Sequence, residues 1–141
     1  MSGLMIFLDL TTEVMADLSA EVIKIEELGF GDEARQHGPF PNDIPHPERS
    51  GLFLALNTNK LGITLNLKSP TGRQIFEKLL AQADIFVENY PRRLIKDLGL
   101  DYDHLIEIKS KIVMTSISPF GQISPCKDHK AYDINCCATD G

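Results

Sequence analysis

A chain of 141 residues, 43% hydrophobic and 24% charged, has the size of one ordinary domain and a globular composition. Its net charge of −6 argues against a dedicated nucleic-acid surface, and no apolar run reaches the length that spans a bilayer. Residues 1–48 hold ten acids and two bases, whereas residues 49–141 hold ten acids and twelve bases. An anionic small ligand is therefore expected on the second part, with ordinary solvated surface as the alternative.

The elements follow in chain order. Leu4–Leu10 is a continuous apolar run that predicts a strand covered on both faces. Without a basic flank, and broken by Asp9, it does not fit a signal peptide. A short helix is expected over about Glu13–Ser19 and a second strand over Glu21–Glu26. Residues 28–51, rich in Gly, Pro and Asn, predict a long surface loop of the kind that is usually functional or disordered. Leu52–Leu56 is apolar and undecided between helix and strand. Gly62–Leu67 predicts a strand with Ile63, Leu65 and Leu67 on one face.

Ser69-Pro70 starts a helix, serine as N-cap and proline at the first helical position, and Ile75, Phe76, Leu79, Leu80 and Ala83 recur at helical spacing. Ile85–Val87 predicts a strand, Pro91–Leu98 a helix ended by Gly99, Tyr102–Ser110 another helix, and Ile112–Ile117 a fifth strand. Strands alternating with helices predict an α/β fold with a doubly wound, mostly parallel sheet. Ligands of such sheets bind beyond the carboxyl ends of the strands, here Asp9–Thr12, Glu26–Asp32, Glu88–Pro91 and Ser116–Gln122.

Three segments could carry chemistry. In Glu88-Asn89-Tyr90-Pro91-Arg92-Arg93, Asn89 can cap a helix beginning at Pro91, presenting backbone N–H groups and a positive dipole end. Arg92, Arg93 and Lys96 add charge and Tyr90 a flat face, which suits a phosphate with an attached base; a well-capped surface helix fits equally. Asn57-Thr58-Asn59-Lys60 packs amides and an ammonium into four residues, suited to phosphate or pantetheine amides, but taken alone it fits a plain turn better. Ser116–Gln122 runs from a strand into a glycine-containing loop that could close over a ligand or simply reverse the chain.

Several chemistries find no support. Gly29-Phe30-Gly31-Asp32 lacks the third glycine and following helix of a dinucleotide fingerprint, and neither a phosphate loop nor a Gly-x-Ser-x-Gly elbow occurs. His37, His46, His104 and His129 are scattered without metal-ligand spacing, so no metal is expected. Cys126, Cys136 and Cys137 include an adjacent pair and no Cys-x-x-Cys, which fits reduced thiols in a cytoplasmic protein.

Taken in order, Ala20–Glu26, Gly29–Asp32 with Gly38-Pro39-Phe40, Asn57–Lys60 with Ile63–Arg73, Ala83–Tyr90, Leu98–Tyr102, Ser116–Gln122 and Ala131-Tyr132-Asp133 resemble the family III CoA-transferases. That group contains formyl-CoA, carnitine and bile-acid CoA-transferases (the CaiB/BaiF type) and also α-methylacyl-CoA racemase. The resemblance covers nearly the whole chain. It implies a Rossmann-like sheet plus a smaller domain, in two subunits interlocked as rings. It also implies transfer of CoA between carboxylic acids through an aspartate that becomes an anhydride and then a thioester.

On that resemblance, residues 1–141 are expected to be the N-terminal part of the large CoA-binding α/β domain, without the small domain and the C-terminal part. CoA or an acyl-CoA thioester is the implied substrate, with a carboxylic acid as co-substrate and a homodimer or complementing C-terminal chain as partner. The implied CoA contacts are Asn57, Thr58, Asn59, Lys60, Asn89, Tyr90, Lys130 and Tyr132, with Lys60 and Lys130 on phosphates. Three departures stand out. The chain is about eight residues, or two helical turns, shorter than the pattern between Thr11 and Asp17. Glu27 and Asp97 stand where some members of the family place arginines that contact the cofactor. The nucleophilic aspartate falls after Gly141, since Asp140 aligns with a small or serine position. No catalytic residue is therefore assigned here, and this chain alone is expected to bind without turnover. The alternatives are a non-catalytic nucleotide- or CoA-binding remnant or subunit, and the racemase branch.

Overall fold

The structure, a computed structural model, describes residues 3–121 together with 123 and 125. Two compact units emerge, Gly3–Asn66 and the residues from Leu67 onward.

The first unit contains helix α1 (Gly3–Asp17), strand β1 (Val22–Glu27), 3-10 turns at Glu33–Gln36 and Pro41–Asp43, helix α2 (Gly51–Leu56) and strand β2 (Lys60–Leu65). β1 and β2 pair in parallel, from Val22 opposite Lys60 to Glu27 opposite Leu65. Parallel partners need a long crossover, and residues 28–59 supply it. The predicted first strand is not formed: Leu4–Leu10 and the residues after it make one helix. From Leu8 onward the covered positions are Leu8 and Asp9, Thr12 and Glu13, then Met15 and Ala16, which is helical spacing. That period was hidden because Asp9 occupies an inward position while Leu10 and Val14 face outward.

The undecided segment Leu52–Leu56 is helical. Ser50, fully buried, accepts from the Phe53 N–H at 3.1 Å and donates toward the carbonyls of Ala34 and His37. The predicted surface loop is thus anchored at both ends: Asp32 and Ala34 are buried at one, Ser50 at the other, and residues 41–49 between them are exposed.

The second unit contains helix α3 (Pro70–Leu80), strand β3 (Ile85–Glu88), helices α4 (Arg92–Asp97) and α5 (Tyr102–Ile108), and strand β4 (Val113–Ser116). β3 and β4 also pair in parallel, Ile85 opposite Val113 through Glu88 opposite Ser116. α3 starts as predicted, with Ser69 Oγ accepting from the Gly72 N–H at 3.0 Å. The core of this unit is Phe76, Leu80, Ile95, Leu100, Leu105 and Ile112, all at most 4% exposed. Phe76 meets Phe86 edge to face at 5.7 Å. The α/β class with parallel pairing is as the sequence predicts; the described strands form two parallel pairs, one in each unit.

No described helix is long and apolar enough to cross a membrane.

Candidate functional site

In the first unit, Asn57–Lys60 forms the turn between α2 and β2, with Asn59 in the left-handed region at φ 58°. Asparagine tolerates that conformation better than most residues. The side chains of this turn bond back to the protein. Asn57 Nδ2 donates to Phe53 O at 3.0 Å, Thr58 Oγ1 to Glu13 at 3.3 Å and Asn59 Nδ2 to Asp17 at 2.7 Å. The Lys60 side chain is 2% exposed, and its ammonium donates to Asp9 O at 2.8 Å, Leu56 O at 2.7 Å and Asn57 Oδ1 at 3.1 Å.

The turn stands at the amino end of β2, beside the start of β1. The Gly29–Asp32 loop lies at the other end of the same pair. The rule that ligands gather at carboxyl ends therefore selects the glycine loop and not the turn. Asp9–Thr12, predicted as a strand end, lies within α1 and is no strand end.

Next to the turn is a buried ionic cluster that sequence reasoning missed. Lys24 bridges the carboxylates of Asp9 and Asp32, and Asp9 Oδ1 is 3.8 Å from Lys60 Nζ. Burial pushes the Asp9 carboxyl up from its ordinary value, against the pull of Lys24. Burial likewise lowers Lys60, against the pull of Asp9. An acid-base alternation at Asp9, Lys24, Asp32 and Lys60 carries no sequence spacing that would reveal it. Glu27 is exposed at the end of β1, and its carbonyl accepts from the Gly31 N–H at 2.9 Å. Phe30, at the loop's tip, is 58% exposed.

In the second unit, Asn89 and Tyr90 are half-buried at the exit of β3. The predicted Asn89 cap is not formed: the residue before α4 is Pro91, and no side chain caps it. Proline keeps Tyr90 away from the helical region, and Pro91 itself is extended at ψ 138°, so the helix starts one residue late. The Tyr90 N–H is instead held by the buried Glu88 carboxyl at 2.7 Å. Burial raises Glu88 above the usual carboxylate range, and hydrogen bonds from Ser116 and Tyr90 oppose the rise. Arg93 and Asp97 are exposed and 3.9 Å apart, so Asp97 already has a cationic neighbour. Lys130, Tyr132 and Asp140 lie outside the described residues. Among the described residues no three His, Cys, Asp or Glu side chains cluster as a metal site would require.

The profile of CoA-transferase family III matches residues 2–141. The chain belongs to that family. Succinyl-CoA:glutarate CoA-transferase of Mus musculus is 39% identical over 128 residues, which is 90% of this chain and 28% of the relative. Formyl-CoA:oxalate CoA-transferase of Escherichia coli O81 (strain ED1a) is 39% identical over 122 residues, 86% of this chain and 28% of the relative. A CAIB/BAIF family protein from Brucella suis superposes with a TM-score of 0.79 at 30% identity, covering 89% of this chain and 33% of that one. This family III chain therefore spans a little over a quarter of the length of those curated relatives. Family III CoA-transferases take CoA thioesters as substrates.

Proposed function

We propose that this chain holds the CoA moiety of an acyl-CoA thioester for transfer of CoA to a second carboxylic acid. The observation that carries the reading is the family match over residues 2–141, joined by relatives named for such transfers at 39% identity.

Within the first unit the contacts are assigned to the Asn57–Lys60 turn, where the exposed main chain at Thr58 and Asn59 offers peptide groups that suit the pantetheine amides. Within the second unit they are assigned to Asn89 and Tyr90, with Lys130 and Tyr132 beyond the described residues. The covalent step is assigned to an aspartate that these residues do not include, so binding and chemistry are separable in this chain. A carboxylate nucleophile divides a hard acyl transfer into two easier ones, and the residues here serve to hold the departing and returning thiol carrier. A cytoplasmic homodimer, without metal, is part of the same reading; the three cysteines fit a reducing compartment.

Titration calorimetry of the purified chain with CoA, followed by assay with succinyl-CoA and glutarate, tests both halves. CoA binding without turnover is expected. Absence of CoA binding, also with a complementing C-terminal chain present, overturns the site. Measurable transfer by these 141 residues overturns the placement of the nucleophile.

A further inference from the structure

We propose that Lys60 is a positioning residue that sets the course of the Thr58–Asn59 main chain, and that its ammonium does not meet a ligand phosphate. The inference deepens the CoA reading of the Asn57–Lys60 turn and rests on it only for what the turn binds.

A lysine ammonium has three donors and no acceptor. All three are matched here: to Asp9 O, Leu56 O and Asn57 Oδ1, at 2.7–3.1 Å. With 2% of the side chain exposed, a phosphate could be reached only by uncovering the ammonium and giving up at least one of these bonds. Each bond also does something for the turn. Leu56 O belongs to the last turn of α2, whose carbonyls have no partner within the helix. Asp9 O belongs to α1. Asn57 is the first residue of the turn, and its amide is doubly held, Oδ1 by Lys60 and Nδ2 by Phe53 O. One ammonium thus joins α1, the end of α2 and the turn, while its own residue opens β2.

The charge around Lys60 fits an internal role. Asp9, Glu13 and Asp32 face it as acids and Lys24 as the second base, so it already has internal carboxylates for its charge. The exposed Thr58 and Asn59 are fixed between these anchors. Asn59 keeps its left-handed φ of 58° with its side chain tied to Asp17. Asparagine enters the left-handed region more readily than most residues, and the bonds on either side of Asn59 fix the turn in that conformation.

Nuclear magnetic resonance of the chain tests this in two arms. In the absence of ligand, Lys60→Met is expected to lose the left-handed coupling and shift signature of Asn59 while the β1–β2 amide signals persist. An unchanged Asn59 overturns the proposal, whether or not CoA binds. In the wild-type chain, the Lys60 Nζ resonance is expected to stay in place on saturation with CoA. A shift produced by CoA and not by phosphate-free pantetheine overturns the proposal. Affinities separate the readings again: Lys60→Met should weaken CoA and pantetheine by the same factor, about tenfold, with the salt dependence of CoA binding unchanged. Loss confined to CoA identifies a phosphate ligand and overturns the positioning role. If the wild-type chain binds neither compound, the CoA reading fails and the ligand-free arm alone decides Lys60. Should Lys60→Met not fold, the wild-type Nζ resonance and an Asn57→Leu variant, which removes only one of the three acceptors, carry the same test.

Discussion

Arg35 meets Glu26 through two parallel hydrogen bonds, Nε to Oε2 at 2.8 Å and Nη2 to Oε1 at 2.9 Å, with its guanidinium 3.6 Å from the Phe53 ring centroid. The Glu26 carboxylate also accepts from the Asp32 N–H at 3.0 Å, so one buried acid ties β1 to the start of the crossover. Removing one partner leaves the other buried and unpaired, which costs about 3–5 kcal/mol in fully buried pairs. Arg35 keeps some exposure, at 16%, so Arg35→Ala should fall toward the lower end. Arg35→Lys should lose a large part as well, because an ammonium cannot supply the fork or the stacking. Urea unfolding of both variants checks this; a Lys variant as stable as wild type would contradict it.

Gly99 ends α4 in a left-handed conformation at φ 56°. The Leu100 N–H bonds to Ile95 O and the Gly99 N–H to Lys96 O, both at 2.8 Å, which is the Schellman pattern, with Leu100 and Ile95 both buried. A Cβ at this position would stand 2.5 Å from Arg73 Nη2, the group that donates to Gly99 O at 2.8 Å. Gly99→Ala should therefore cost more than the roughly 1 kcal/mol of backbone strain, because Arg73 must also move. Gly99→Asn, better tolerated in that conformation, should still displace Arg73. Denaturation midpoints of the two variants decide; a neutral Ala would show the end of α4 to be loosely held.

Much of this was legible in the sequence. Ser69-Pro70 marked a helix start, and Gly99 a helix end, because capping chemistry is local. The α1 error has the opposite cause: an apolar run carries no period when the inward positions hold polar residues such as Asp9. Lys60, the last residue of a polar tetrapeptide, carries no sign of burial in the sequence, since only the folded chain shows where a long side chain finds its acceptors. The Glu26–Arg35 pair was hidden for the same reason, the crossover's path being set by packing. For the turn itself, composition favoured a plain turn, and only the resemblance pointed to a site.

Glu88 makes stability depend on pH in a direction that can be worked out. Its folded value is raised by burial above the ordinary 4.5. Below that ordinary value the acid is protonated in both states and no penalty exists. As pH rises through the folded value, the native state must ionise a carboxyl that is 2% exposed, and the contribution is lost. Glu88→Gln retains an oxygen for the Tyr90 N–H and cannot ionise. Relative to wild type, it should gain stability between pH 5 and pH 8, with roughly no difference near pH 4. Chemical denaturation across that range measures it. A variant that loses stability as pH rises would mean that Glu88 is better off charged.

On α1, Leu10 and Val14 are four residues apart and Leu18 follows at the same interval. They are 44%, 50% and 79% exposed, so they form a stripe along one side of the helix and its end. Leu28, Phe30, Ile44, Leu54 and Leu61 add to the exposed apolar surface of the same unit. Scattered leucines are normal on a protein surface, but a helical stripe is continuous and can bury itself against another molecule. Chains of this sequence should therefore self-associate. Val14→Lys together with Leu18→Lys should reduce that association without unfolding the helix, since lysine is a good helix former. Light scattering of both proteins against concentration is the measurement. A monodisperse wild-type monomer would contradict the stripe's role. Association unchanged in the double variant would shift it to the other exposed residues.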